Sequence, residues 1–218
     1  MRPMRRVLSA LAASAVYGFS VGAVRSFRFA ALDVVKFPLL VCVSASVCAG
    51  AYFLLARFVA PRLAFSDVRR LVLASYGDLA RLLASFAPVC LFLARTVRQP
   101  ISLAELGEYP FFLGCNVALI AGCGVLAVGR QATALSRRHG LSRLRAGVLV
   151  GGWLGFSLLV GGQAAWYLRP FFGIRAVPED GTFCEGSQPD FRGARSFYEA
   201  VYNLGAAPRG RQAMDAHR

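Results

Sequence analysis

The sequence predicts an all-α fold, an integral membrane helical bundle of about five transmembrane helices. Three observations carry that expectation. Apolar residues make up 56% of the 218-residue chain and charged residues only 17%, against about 45–50% and about 25% in soluble domains. Mean hydropathy is +0.53. The apolar residues also gather into five stretches, each near the roughly 20 residues that cross a hydrocarbon core of about 30 Å. In lipid the backbone must satisfy its own hydrogen bonds, so such stretches are expected as helices. The alternating segments of about ten residues that build a membrane barrel are not seen. This hydrophobicity excludes disorder. Six cysteines are too few for a disulfide scaffold, and the 22 glycines have no collagen period.

Taken in order, the first span is Val7–Val24, an uncharged run behind Arg2, Arg5 and Arg6. It holds Gly18-x-x-x-Gly22, a small-residue groove suited to a partner helix. The same stretch also fits a cleavable signal peptide ending near Ala23. The first 32 residues, with five Arg and no acid, fit a mitochondrial presequence as a third reading. Arg25–Lys36 reads as an interfacial link, with Asp33 and Lys36 as an interfacial pair at i, i+3. The second span, Phe37–Ala56, opens with Pro38. Arg57–Arg70 contains Pro61 and Ser66-Asp67, expected to N-cap the third span.

That third span, Leu71–Ala94, carries Asp78 and Arg81. Arg95–Glu108 holds Pro100 and Ser102-x-x-Glu105, a capping-box pattern ahead of the fourth span, Tyr109–Gly129. Arg130–Arg145 is the most basic connection. The fifth span, Ala146–Leu168, holds Gly147, Gly151 and Gly155 as two overlapping GxxxG motifs. Residues 1–168 thus form the transmembrane domain. Residues 169–218 form a polar tail, in which Phe197, Val201 and Leu204 predict a short amphipathic helix before an end expected to be disordered.

The net charge of +14 comes almost wholly from Arg, since Lys36 is the one lysine. These cations lie between the apolar runs rather than in one stripe, which argues for membrane topology over nucleic-acid binding. Five spans put 12 Arg on the N-terminal side, from Arg2–Arg6, Arg57–Arg70 and Arg130–Arg145. The other side holds seven cations near the spans: Arg25, Arg28, Lys36, Arg95, Arg98, Arg169 and Arg175. The bias predicts an N-terminus inside and a C-terminus outside, in a bacterial inner membrane or, on the presequence reading, a mitochondrial one. The lipid bilayer is the first expected partner, with anionic lipids at the basic loops and other membrane proteins or a second copy at the helix faces.

No catalytic, metal or cofactor site is expected. Nucleophile-elbow, phosphate-loop and zinc-protease patterns are missing. His139 and His217 lie apart from any acid cluster, and no CxxC occurs. Cys42, Cys48, Cys90, Cys115 and Cys123 read as small apolar residues within spans; Cys184 stands alone in the tail. Asn116 and Gln163 read as interhelical hydrogen-bonding groups. Asp78 and Arg81 are the candidate intramembrane polar pair. Ionisable groups at membrane depth mark a site by default, though i, i+3 spacing also fits a plain structural ion pair.

The most distinctive local sequence is the juncture behind the last span, with Gln163, Trp166, Arg169, Pro170, Phe171 and Gly173. Pro170 turns the chain at the interface, and Arg169 reaches phosphate or carboxylate at head-group level. Together with Phe197-Tyr198-Glu199-Ala200-Val201, Lys36-Phe37-Pro38-Leu39-Leu40 and Ser85-Phe86-Ala87-Pro88-Val89, this juncture resembles a family of uncharacterised bacterial multispanning membrane proteins. The five-span layout is also loosely similar to Yip1-type membrane proteins. The resemblance implies a fold and transfers no functional residue. The expected function is a non-enzymatic scaffold or assembly factor, touching partners or lipid through helix faces and the juncture. The alternative is a small transporter or channel subunit with Asp78 and Arg81 in a polar path.

Overall fold

The computed structural model describes residues 3–97 and 109–168. Helices make up 91% of them, and no strand occurs among them. The five helices are α1 (Pro3–Gly22), α2 (Phe27–Val59), α3 (Phe65–Thr96), α4 (Tyr109–His139) and α5 (Arg143–Tyr167). The chain is therefore an all-α helical bundle, as expected. Four helices, α2 to α5, are long and apolar enough to cross a membrane. α1 is shorter, at 20 residues, and carries Arg5 and Arg6 near its start.

Each predicted span lies mostly inside one helix, but the helices run longer. α2 starts ten residues before Phe37, because Ser26 N-caps it by accepting a hydrogen bond from the Phe29 backbone N–H. The link expected over Arg25–Lys36 is thus mostly helix, and Pro38 lies in its interior rather than opening it. α3 likewise begins at Phe65, before the Ser66-Asp67 expected to cap it. Asp67 instead sits in the first turn and accepts from the Ala64 N–H at 3.3 Å. α4 closes on Gly140, whose φ of 62° is the left-handed conformation that ends helices. Ser142 then caps α5 by accepting from the Arg145 N–H. The capping box at Ser102–Glu105, Cys184 and the tail features from Arg169 onward lie outside the described residues.

The helices alternate in direction. Contacts run from α1 to α2 and α3, between α2 and α3, and onward from α3 to α4, α4 to α5 and α5 back to α2. Helices α2 to α5 thus close a ring, and α1 packs on the flank where α2 and α3 meet. Alternation gathers the ends into two sets. At one end lie Arg5, Arg6, Arg57, Arg62, Arg69, Arg70, Arg137, Arg138, Arg143 and Arg145, all exposed. The core divides the same way. One apolar cluster joins Tyr17, Val21, Phe37, Cys90, Ala94, Phe112 and Leu168 away from the arginines. The other joins Tyr52, Ala56, Val68, Val72, Leu135, Leu149 and Trp153 near them.

At the α1–α2 crossing the two backbones come into contact. A Cβ added at Gly18 would stand 2.3 Å from the Asp33 carbonyl oxygen and 2.7 Å from the Phe37 Cβ. One added at Gly22 would stand 2.6 Å from the Phe29 carbonyl oxygen. The backbones meet because neither residue has a side chain, as the Gly18-x-x-x-Gly22 motif predicts. Tyr17 then packs edge-on against Phe37 at 5.1 Å, and Arg25 stacks over the Phe29 ring at 4.3 Å.

Replacing Gly18 with Leu should therefore destabilise the bundle by about 1–3 kcal/mol through overpacking against backbone. Gly50→Leu, where nothing lies within 4 Å of an added Cβ, should leave stability within about 0.5 kcal/mol. Unfolding titrations in mixed micelles followed by circular dichroism check this; equal losses in both variants would contradict the packing.

Candidate functional site

Asp78 and Arg81 form the ion pair their spacing predicts, with Arg81 Nη1 2.7 Å from Asp78 Oδ1. What the spacing does not reveal is where the pair faces. The Arg81 side chain is 49% exposed and the Asp78 side chain 24%, so the pair lies on the outer surface of α3. Arg81 folds back over Gly77, beside Ala10 of α1. At about 1.5 Å per residue both groups fall within about 4 Å of the midpoint of α3. Exposed Ser85 lies one turn further along the same face.

Asp33 and Lys36 share the i, i+3 spacing and meet the opposite fate. They are only 0% and 1% exposed, so both residues are interior rather than interfacial, and neither Asp33 carboxylate oxygen has a hydrogen-bond partner among the described residues. The cause is α1: Gly18 and Gly22 let its backbone settle onto this turn of α2, where the Asp33 carboxylate comes within 2.7 Å of a Cβ position on Gly22. Asp33 lies about 15 Å from the midpoint of α2, near the edge of a hydrocarbon core.

Two interhelical polar networks occupy other buried sites. In the first, Asn116 of α4 uses its side-chain oxygen twice, accepting from the Tyr17 hydroxyl at 2.8 Å and from the Cys90 thiol at 3.1 Å. Its amide nitrogen donates to the Phe112 carbonyl. In the second, Tyr52 of α2 stacks on Trp153 of α5 at 5.0 Å. Its hydroxyl donates to the Trp153 carbonyl and pairs with Ser157, while the Trp153 indole donates to the Tyr52 carbonyl. Tyr76 of α3 donates to Cys48. Asn116 thus does what an intramembrane amide is expected to do. Cys48 and Cys90 are more than small apolar residues, since each is a hydrogen-bond partner. The tyrosines carry no charge or motif that marks them in the sequence; their one signal is an aromatic hydroxyl inside an apolar run, which needs a partner when buried.

The second set of glycines behaves differently from the first. Nothing lies within 4 Å of a Cβ built at Gly147, Gly151 or Gly155, whereas one built at Gly152 meets Leu55. Among the described residues the overlapping GxxxG ridge is open and is not a helix crossing. Gln163 and Trp166 are half-buried near the end of α5; the rest of the juncture, Arg169, Pro170, Phe171 and Gly173, lies outside the described residues. Among the described residues no group of three or more His, Cys, Asp or Glu comes together.

No family model, curated protein or solved structure matches the chain. Four long apolar helices identify a membrane-embedded protein.

The Asn116 oxygen shared by two donors makes a measurable claim. In a double-mutant cycle, Tyr17→Phe and Asn116→Ala should couple by about 0.6–1.7 kcal/mol, the range for buried hydrogen bonds between membrane helices. Strictly additive losses would remove Tyr17–Asn116 from the forces joining α1 to α4.

Proposed function

We propose that the protein is a non-enzymatic membrane component, a scaffold or assembly factor, that offers the outer face of α3 to a partner helix within the bilayer. The observation that carries this reading is the exposed Asp78–Arg81 pair at mid-length. A charged side chain at the centre of a bilayer costs about 2.5–3.5 kcal/mol on insertion scales. An interhelical hydrogen bond returns only about 0.6 kcal/mol on average. Pairing lowers the cost, but a pair left against lipid still loses what a polar neighbour would supply. The partner expected here presents hydrogen-bonding or charged groups at the level of Asp78 and small residues opposite Ser85.

The transporter alternative needs these same residues inside a polar path. Their outward position on α3 lends no support to a path through a single copy. The arginine-rich end is read as cytoplasmic on the positive-inside bias, in a bacterial inner membrane, which also suits the resemblance to bacterial multispanning proteins.

A photo-reactive residue at position 85 tests the reading in native membranes. A protein adduct of defined mass is expected, its yield falling at least about fivefold in Asp78→Asn/Arg81→Gln at equal expression; fivefold corresponds to about 1 kcal/mol. Lipid adducts alone, unchanged in the variant, would sink the proposal.

A further inference from the structure

Between the C-terminal turns of α4 and the start of α5 lies an open cavity of about 470 Å³, lined by Thr133, Ser136, Arg137, Arg143, Ala146 and Gly147. Two of the lining residues are arginines and two carry hydroxyls, side-chain types that can donate hydrogen bonds to an anion. No Asp or Glu occurs anywhere from Tyr109 to Leu168, so neither helix supplies a carboxylate to neutralise these arginines. The start of α5 adds its own positive end, with Ser142 as N-cap. The cavity stands at the arginine-rich end of the bundle, beside exposed Arg138 and Arg145, where phospholipid phosphates lie.

A second feature continues from the first. Arg143, Gly147, Gly151 and Gly155 recur at every fourth residue, so they form one ridge of α5. From Gly147, a wall of the cavity, this ridge runs toward the bilayer interior. An added Cβ at Gly147, Gly151 or Gly155 would meet open space, so the ridge is a shallow channel bared of side chains. An arginine-lined cavity at the end of the bundle, continued by a stripe of α5 without side chains, suits an amphiphile with an anionic head and an acyl tail.

We propose that this is a binding site for an anionic phospholipid, with its phosphate held by Arg137, Arg143, Thr133 and Ser136 and one acyl chain along Gly147, Gly151 and Gly155. Arginine supplies the planar, forked donor set that suits phosphate, and basic pockets between transmembrane helices take such head groups. The site is independent of the α3 face.

The test is native mass spectrometry of the full chain in mild detergent, titrated with phosphatidylglycerol, with phosphatidylcholine of the same acyl chains, or with inorganic phosphate. Phosphatidylglycerol should bind at least tenfold more tightly than phosphatidylcholine. Arg137→Gln/Arg143→Gln should weaken it about tenfold or more. Arg62→Gln/Arg69→Gln, an equal charge change at the same end, should alter it less than twofold. Gly151→Leu, a substitution into open space, should weaken it severalfold by filling the channel. Equal losses in the two arginine variants would show diffuse surface charge and overturn the site. Inorganic phosphate that displaces phosphatidylglycerol at millimolar concentration, with Gly151→Leu without effect, would assign the cavity to free phosphate and overturn the lipid.

Discussion

The approach of α1 to α2 across Gly18 and Gly22 is the constraint on which the rest of the bundle depends. Only side-chain-free positions let the α1 backbone come against the Asp33 and Phe29 carbonyls. That approach covers Asp33 and Lys36, sets Tyr17 against Phe37, and aims the Tyr17 hydroxyl past α3 to Asn116. Lipid tails give no hydrophobic drive for helices to associate, so close packing and hydrogen bonds must supply it. α1 is not among the four helices long and apolar enough to cross a membrane. It is held by fit: its buried Ser14 and Ser20 bond back to carbonyls of their own helix, so the flat face carries no unsatisfied hydroxyl into the crossing.

The two halves of the bundle are tied by different chemistry. Away from the arginines, one amide oxygen collects a phenol and a thiol from two other helices. Near them, Tyr52 and Trp153 stack and exchange hydrogen bonds with each other's backbone. The reciprocity matters because each donor satisfies a carbonyl on the opposite helix, which fixes the register of α2 against α5. A helix held at two depths by different pairs cannot slide without breaking both. Three of the ring's four contacts, α2 with α3, α3 with α4 and α2 with α5, thus carry an interhelical hydrogen bond.

Much of this was legible in the sequence. Length and hydropathy located each of the five described helices, because a membrane imposes a minimum apolar run and punishes charge within it. Helix ends were less legible. Ser26 starts α2 ten residues early because a helix can continue beyond the hydrocarbon, where hydropathy no longer marks it. The two glycine motifs looked alike on paper, yet Gly18 and Gly22 meet a neighbour while Gly147, Gly151 and Gly155 meet none. Small-residue spacing states that a close approach is permitted; it does not state what approaches. Asp78 and Arg81 were recognised as a pair from spacing alone, but the face of α3 they occupy depends on which flanks α1 and α4 take.

Asp33–Lys36 and Asp78–Arg81 make the same argument from opposite sides. Both place an acid three residues before a base on one helical face. The first lies near the edge of the hydrocarbon, where burial costs less, and α1 seals it. The second lies at mid-length, where isolation from water is most costly, and the fold leaves it open. Had charge burial alone shaped the bundle, α1 would have covered the deeper pair. It covers the shallower one because Gly18 and Gly22 face that turn of α2, while toward Arg81 it offers Ala10 and leaves the guanidinium at the surface. On the reading proposed above, the polar surface that completes the deeper pair belongs to the helix that packs on α3.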